Sequence, residues 1–492
     1  IAVDEEGDNV VVGWNDADGF IPPFLFDGTS GWGFSANSGA SFVDGGGMPP
    51  GTIATVPATT IVVAGDPWLE VLNEDSDGDG SEDEQVFLYA NLAVALIGPG
   101  TGHVVEGVTV HRGTVTSGVL TWGTPSLIPS PSPVGTFGLD KEAITVDNRY
   151  GSQAVYVSAT NFAPAGNIVL FRSFDGGVTF SGPTQVQGPG VDGVQGSMPA
   201  VGRNGEVFVV WERGRFNHPL VTPATPNARI QFARSTDQGA TFSPAIDVAS
   251  IRASTRKPPA GYNRSRYNDF PRIAVAENGA HQGRIFVVFH ATATNPDGTD
   301  KNLPGTVTVL GAGNPALPAV ADADAFLKFS DDGGATWSAC TVVNGAVGDG
   351  KAQFWPCVSV DREGNVHVTY HQDIETDLNP NPAVLETNRG LDGVGGRIRR
   401  SDRSSLVNTF LARSTNGGVT FSAPVQITDV TSNWSRTVSN IIPNMGDYLT
   451  SVSLQDGSEE RIFASWQDSR VQIDINPGPI VDLRPIPSVA YA

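Results

Sequence analysis

The sequence predicts an all-β protein, a β-propeller of four-stranded antiparallel blades, seven in number with six as the alternative. Three observations carry this. The pattern Ser-x-Asp/Asn-x-Gly-x-Thr-Phe/Trp-Ser occurs four times, at residues 173–181, 235–243, 330–338 and 414–422. A pair of apolar strands joined by a polar turn recurs seven times along the chain. The 492 residues include 58 Gly and 35 Pro and show no long amphipathic helical pattern. That composition suits many short strands with tight turns.

Each turn follows an apolar strand ending in Arg or Lys, as at Arg172, Arg234, Lys328 and Arg413, and precedes a second short strand. Asp or Asn caps its own backbone, Gly takes a positive φ, and the aromatic pins the turn to the sheet. The strand pairs are 1–3 with 10–14, 68–71 with 86–89, 143–146 with 154–158, 199–201 with 207–211, 271–275 with 285–289, 356–360 with 366–370, and 448–452 with 462–466. Repetition at this period, with about four strands per unit, reads as propeller blades within one domain. The expected blades are 1–48, 64–133, 140–190, 197–250, 269–343, 354–430 and 446–492, the last finished by residues 471–492. Degenerate forms of the turn are expected at 26–35 and 112–122.

The four-fold turn resembles the Asp box, or BNR repeat, of sialidase-like β-propellers, and the resemblance covers nearly the whole chain at the level of fold. Asp140-Lys-Glu-Ala-Ile-Thr-Val-Asp147, Gly446-Asp-Tyr-Leu449 and Trp466-Gln-Asp-Ser-Arg470 are similar to stretches of uncharacterised exported bacterial members. The Asp boxes themselves are expected to be fold-stabilising turns.

The net charge of −22 argues against nucleic acid or an anionic membrane as the main partner. No apolar run reaches a membrane-spanning length. The chain starts at Ile1 without Met, which reads as a processed or trimmed form of an exported protein, secreted or at the cell surface. Its two cysteines, Cys340 and Cys357, fall on different expected blades, so the sequence leaves a disulfide open.

Strand order assigns loops to faces. The turns between third and fourth strands share a face with the loops between first and second strands. One of the latter runs from Asn73 to Glu84, and its Asp75-x-Asp77-x-Asp79-Gly80 spacing, with Asp83 beyond, suits calcium in a structural role. Val86 stands where a full EF-hand would have its bidentate Glu. The opposite face is where propeller ligands sit. Second strands end there in Asn15, Asn91, Thr160, Glu212, His290, His371 and Gln467, and first strands begin there with Asp66, Asp140, Lys141, Glu142, Asp269, Trp355, Asp447 and Tyr448. Residues 252–272 and 389–403 carry 11 of the 30 basic residues, joined by Arg213 and Arg215. Guanidinium forks bind carboxylate or sulfate, so an anionic glycan or glycoconjugate is the expected partner.

The sialidase resemblance implies a retaining glycosidase with an arginine triad for the substrate carboxylate, a Tyr nucleophile activated by Glu, and an Asp acid/base. By residue type and face, Arg264 and Arg266 with Arg213 or Arg470 suit the carboxylate, with Arg272 in the same basic cluster. Tyr267 or Tyr448 suits the nucleophile, Glu212 the activator and Asp269 the acid/base. The family's Arg-Ile-Pro signature near the N-terminus does not occur in this sequence. Two other functions fit the same face. A polysaccharide lyase on uronate glycans would use His290, His371 and Tyr267 with the arginines. A non-catalytic binding propeller would use the long insertions at 291–325 and 372–405.

Overall fold

The computed structural model describes residues 1–15, 28–52, 60–74, 84–96, 103–131, 138–162, 166–187, 193–214, 227–252, 268–292, 306–307, 317–318, 323–346, 351–373, 406–433, 449–456, 459–474 and 483–490. Among them there is no helix, and so none long and apolar enough to cross a membrane. The chain is all-β, and among the described residues six sheets carry the four-stranded antiparallel meander of a propeller blade. The first is Ala2–Val3, Val10–Asn15, Ser30–Ser35 and Val43–Gly47. The second is built on Trp68–Glu74, Glu84–Leu96, His103–Thr116 and Val119–Trp122, with three further short strands at its edges. The third is Leu139–Val146, Val155–Asn161, Asn167–Ser173 and Ser181–Gln187.

The fourth sheet is Val194–Val201, Val207–Arg213, Asn227–Ser235 and Ile246–Arg252. The fifth is Arg272–Val275, Ile285–Thr292, Ala323–Ser330 and Thr341–Val342. The sixth is Gln353–Val360, Val366–Asp373, Leu406–Ser414 and Val425–Gln426, with Ser432–Asn433 added. The seventh sheet has three described strands, Thr450–Asp456, Glu459–Asp474 and Leu483–Ala490. The four-stranded pattern expected seven times is therefore present six times. By its contacts the chain divides into two compact units, 1–211 with 232–246 and 452–463, and 212–231 with 247–451 and 464–492.

Apolar residues alternate between two cores because successive side chains on a strand point to opposite faces. In the third sheet Val155 and Val157 join a core with Leu72, Leu88 and Val110 of the second. Tyr156, between them, joins a core with Val194, Val209 and Trp211 of the fourth. A buried blade strand thus reads as an unbroken apolar run in sequence, which is why the strand pairs stand out.

The repeated turns share one hydrogen-bond scheme. Ser173 Oγ donates to Asp175 Oδ1 at 2.6 Å and accepts from the Gly177 amide at 2.8 Å. Asp175 in turn accepts from the Thr179 amide at 2.8 Å and its hydroxyl at 2.6 Å. Residues 235–241 and 330–336 repeat these contacts, and 414–420 does so with the side-chain bond reversed, Asn416 Nδ2 donating to the Thr420 hydroxyl. A fifth copy lies at Ser35-Ala-Asn37-Ser-Gly39-Ala-Ser41, where Ser35 Oγ meets Asn37 Oδ1 at 2.7 Å and accepts from the Gly39 amide at 2.9 Å. This corrects the expectation at 26–35, since Ser30–Ser35 is a complete strand and the turn starts at its last residue. The degenerate copy expected at 112–122 is instead a two-residue hairpin, with Ser117 and Gly118 both at positive φ, 52° and 74°.

The turns also receive arginines from neighbouring sheets. Arg112 donates to the Gly176 carbonyl while paired with Glu74 at 2.8 Å. Arg172 donates to the Gln238 carbonyl at 3.3 Å, and Arg284 to the Gly417 carbonyl at 2.7 Å. All three carbonyls belong to the fourth residue of a turn. In the seventh sheet Arg461 donates to the Glu6 carbonyl at 3.0 Å and to Ser38 Oγ at 3.4 Å, tying that sheet to the first. Cys340, half-buried, and Cys357, buried, are not joined in a disulfide.

Candidate functional site

Three non-glycine residues at the starts of first strands have left-handed backbones: Asp66 at φ 55°, Lys141 at 52° and Trp355 at 50°. Each costs about 1–3 kcal/mol and persists only where its surroundings impose it. Lys141 and Trp355 sit in matching irregularities, between Asp140 and Ala143 and between Phe354 and Cys357. In the fourth sheet Gly196 takes the same place at φ 68°, at no steric cost. The strained positions mark two polar clusters, one in each unit.

In the second unit the Trp355 backbone N–H donates to His290 Nδ1 at 3.3 Å. Nδ1 is therefore the acceptor, and the proton of the neutral ring sits on Nε2. Nε2 lies 3.2 Å from Asp269 Oδ1. Burial lowers His290 to about 3, the Arg272 guanidinium adds to this, and the Asn268 backbone opposes it. Asp269 also turns its backbone amide toward Glu212, the next-to-last residue of the strand Val207–Arg213. Glu212 is fully buried, and neither oxygen reaches full hydrogen-bond geometry. Burial raises it from 4.5 to about 8, with the Asp269 amide pulling the other way. At neutral pH Glu212 holds a proton, and His290 stays uncharged beside the Asp269 carboxyl. A carboxylic acid that keeps its proton at neutral pH is a group able to give that proton to a leaving oxygen.

His371 is the adjoining member. Its Nδ1 lies 3.1 Å from Thr409 Oγ1, and burial lowers it to about 3 against a hydrogen bond with the Gln467 side chain. Its ring packs against Phe354 and Trp355, at centroid distances of 5.4 and 6.1 Å. Arg272 is buried and donates to the Pro271 carbonyl at 3.0 Å, while Arg213 is half-buried. Of the residues singled out in sequence, Glu212, Asp269, His290 and Trp355 are thus brought together. Tyr267, Tyr448, Arg264 and Arg266 lie outside the described residues, as do the Arg470 side chain and the acidic residues Asp75, Asp77, Asp79 and Asp83.

The first unit holds the second cluster. Lys141 Nζ pairs with Asp66 Oδ2 at 2.5 Å, and both groups are largely buried. Asp66 also accepts from Asn15 Nδ2 at 3.3 Å and donates its amide to Asn15 Oδ1 at 2.6 Å. Asp140 accepts from Gln195 Nε2 at 2.8 Å. Glu142 is buried, and among the described residues neither of its oxygens has a hydrogen bond of full geometry. Burial raises its pKa well above the ordinary value. Asp66 and Asp140 add to the rise, and its own amide and Lys141 oppose it. Sequence reasoning passed over Gln195 and Thr409. The signal for Gln195 was its place before Gly196, level with Asp140 before Lys141.

No family model matches the chain, and no curated protein matches it. Solved structures do. An α-L-arabinanase of Penicillium chrysogenum in complex with arabinobiose is 11% identical, at a TM-score of 0.39, over 73% of this chain and 83% of its own. A Hadza microbial sialidase is 13% identical, at 0.39, over 90% and 71%. An ulvan lyase bound to a GlcA(1-4)Rha3S fragment is 10% identical, at 0.36, over 77% and 87%.

Proposed function

We propose that the chain cleaves a glycosidic bond in an anionic glycan, as an exported hydrolase of exo-sialidase type. The observation that carries this is Glu212, buried and raised to about 8 beside Asp269. Glycoside hydrolysis needs one carboxyl group held protonated to give its proton to the leaving oxygen, and a second group to act on the sugar. Glu212 fills the first role. Asp269, whose carboxyl lies 3.2 Å from His290 Nε2, serves as its partner carboxylate. This reverses the parts that family resemblance suggested, because a Glu that retains its proton cannot activate a nucleophile as a base. Arg213 with Arg264, Arg266 and Arg470 would hold the anionic group, and Tyr267 and Tyr448 remain the candidate nucleophiles. The three-stranded seventh sheet, tied to the first by Arg461, counts as the seventh blade in this reading.

One observation favours a second reading, a polysaccharide lyase. His371 adjoins His290 through Trp355 and is uncharged at neutral pH, so a ring nitrogen can take a proton, although burial lowers it to about 3 and makes it a weak base. Product analysis separates the two. The protein is incubated with sialylated and uronate-containing glycans, and products are followed by mass spectrometry and ultraviolet absorbance. Free sialic acid or another saturated sugar, lost in Glu212→Gln, supports hydrolysis. Unsaturated products assign the site to elimination. No product from any of these glycans overturns the catalytic reading in favour of a binding propeller.

A further inference from the structure

We propose that Asp66, Lys141 and Glu142 form a second binding site, in the first unit, for neighbouring hydroxyl groups of a neutral sugar. The proposal rests on the glycan reading for its class of ligand, but not on any step assigned to Glu212.

The position argues first. Lys141 holds in the third sheet the left-handed place that Trp355 holds in the sixth, and Asp66 has a left-handed backbone at the corresponding start in the second. The two strained residues are also the two partners of one ion pair, at 2.5 Å. Glu142 is the independent observation. It is 3% exposed, among the described residues neither of its oxygens has a hydrogen bond of full geometry, its own backbone amide being the nearest donor, and its carboxyl is close enough to Asp66, Asp140 and Lys141 to feel all three. A buried polar group in that condition is costly unless a ligand completes it.

The chemistry then narrows the ligand. A hydroxyl both donates and accepts. The Lys141 ammonium can only donate, the Asp66 carboxylate can only accept, and a protonated Glu142 does both. A divalent cation would meet the ammonium paired with Asp66, and an anion would meet Asp66 and Asp140. A neutral diol meets neither conflict. Access runs past Asn15, which is exposed, and Asp66, whose side chain is 17% exposed.

The test is binding rather than turnover, on the full chain. The probes are the methyl glycosides of galactose, arabinose and rhamnose, with methyl glucuronide as the charged comparison. Binding is read by saturation-transfer NMR and calorimetry, with the melting temperature of each variant as a folding control. At least one neutral glycoside is expected to bind. Lys141→Met and Asp66→Asn should each weaken it by about tenfold or more, the loss of a charge-assisted hydrogen bond. Glu142→Gln, which stays neutral, should keep affinity within about threefold, and Glu212→Gln should not change it. If Lys141→Met does not fold, Asp66→Asn decides alone. The proposal is overturned if no neutral glycoside binds, if both variants bind as wild type does, or if methyl glucuronide competes at the same residues. Binding here together with undiminished cleavage by Glu212→Gln would leave this site standing and remove the role of Glu212. Loss of cleavage in Glu212→Gln without any neutral-sugar binding would do the reverse.

Discussion

Replacing Glu212 by Gln should stabilise the protein at alkaline pH and leave it unchanged in mild acid. A carboxyl raised in the fold binds its proton more tightly there than in the unfolded chain. Stability from this group is therefore complete below its unfolded value and is lost as pH rises through the folded value. The window runs from 4.5 to about 8. At about 1.4 kcal/mol per pH unit, the full penalty above that window is on the order of 5 kcal/mol. Unfolding entropy of about 2.1 cal/mol/K per residue gives roughly 1 kcal/mol per degree for a chain of this length, so the melting temperature should differ by about 5 °C. The assay is a pair of melting series, wild type and Glu212→Gln, from pH 5 to pH 9 at one scan rate. The two curves should coincide at pH 5 and diverge steadily up to about pH 8. Parallel curves across that range would refute the burial of an uncompensated Glu212, and with it the proton donor of the proposed reaction.

Other expectations follow from the turns and the acidic loop. Ser330→Ala leaves the buried Gly334 amide without its acceptor at 2.9 Å and should cost about 1–3 kcal/mol, read by urea unfolding. Asp237 and Asp332 are lowered to about 2, first by the Thr241 and Thr336 hydroxyls, so their stabilisation is present above 3.8 and lost as pH falls through about 2. Changing both to Asn, the residue that already serves at position 416, should flatten the acid-unfolding curve between those values. Arg284→Lys should destabilise nearly as much as Arg284→Ala, because only the guanidinium fork can span both Asp331 oxygens, at 2.7 and 2.9 Å, and the Gly417 carbonyl. If Asp75, Asp77, Asp79 and Asp83 hold structural calcium, a chelator should lower the melting temperature of wild type but not of Asp77→Asn/Asp79→Asn. An equal response in both would remove the metal from that loop.

Much of the fold was legible because blade strands are buried on both faces and their turns are chemically specific. The Ser-x-Asp-x-Gly spacing encodes a hydrogen-bond scheme, and the structure shows that scheme at each of the four positions where the spacing occurs. The copy at 35–41 is hard to see in sequence because Ser41 replaces the usual Thr and Asn37 the usual Asp; the Ser41 amide still donates to Asn37 Oδ1, while the side-chain bond reverses, with Asn37 Nδ2 donating to Ser41 Oγ. The hairpin at Ser117-Gly118 was mistaken for a degenerate copy because tight turns share their small and polar residues. Aligning strand ends picked out Glu212, Asp269, His290 and Trp355, which the structure brings together, since one side chain per strand reaches each end of a sheet. What that alignment could not supply was protonation. The sequence shows Glu212 only as an acidic residue after Val-Val-Trp, and its retained proton comes from its burial in the folded chain. Left-handed backbones at Asp66, Lys141 and Trp355 were equally hidden, because none of these residue types announces a positive φ.

The most direct test of the central claim is cleavage of sialylated and uronate-containing glycans in water enriched in oxygen-18, comparing wild type with Glu212→Gln and Asp269→Asn. The predicted result is a saturated product carrying one heavy oxygen at its new hemiacetal carbon, with the rate falling by about a hundredfold or more in each variant, as expected for loss of a general acid or its partner. An unlabelled, unsaturated product, or labelled product formed at the wild-type rate by Glu212→Gln, would contradict it.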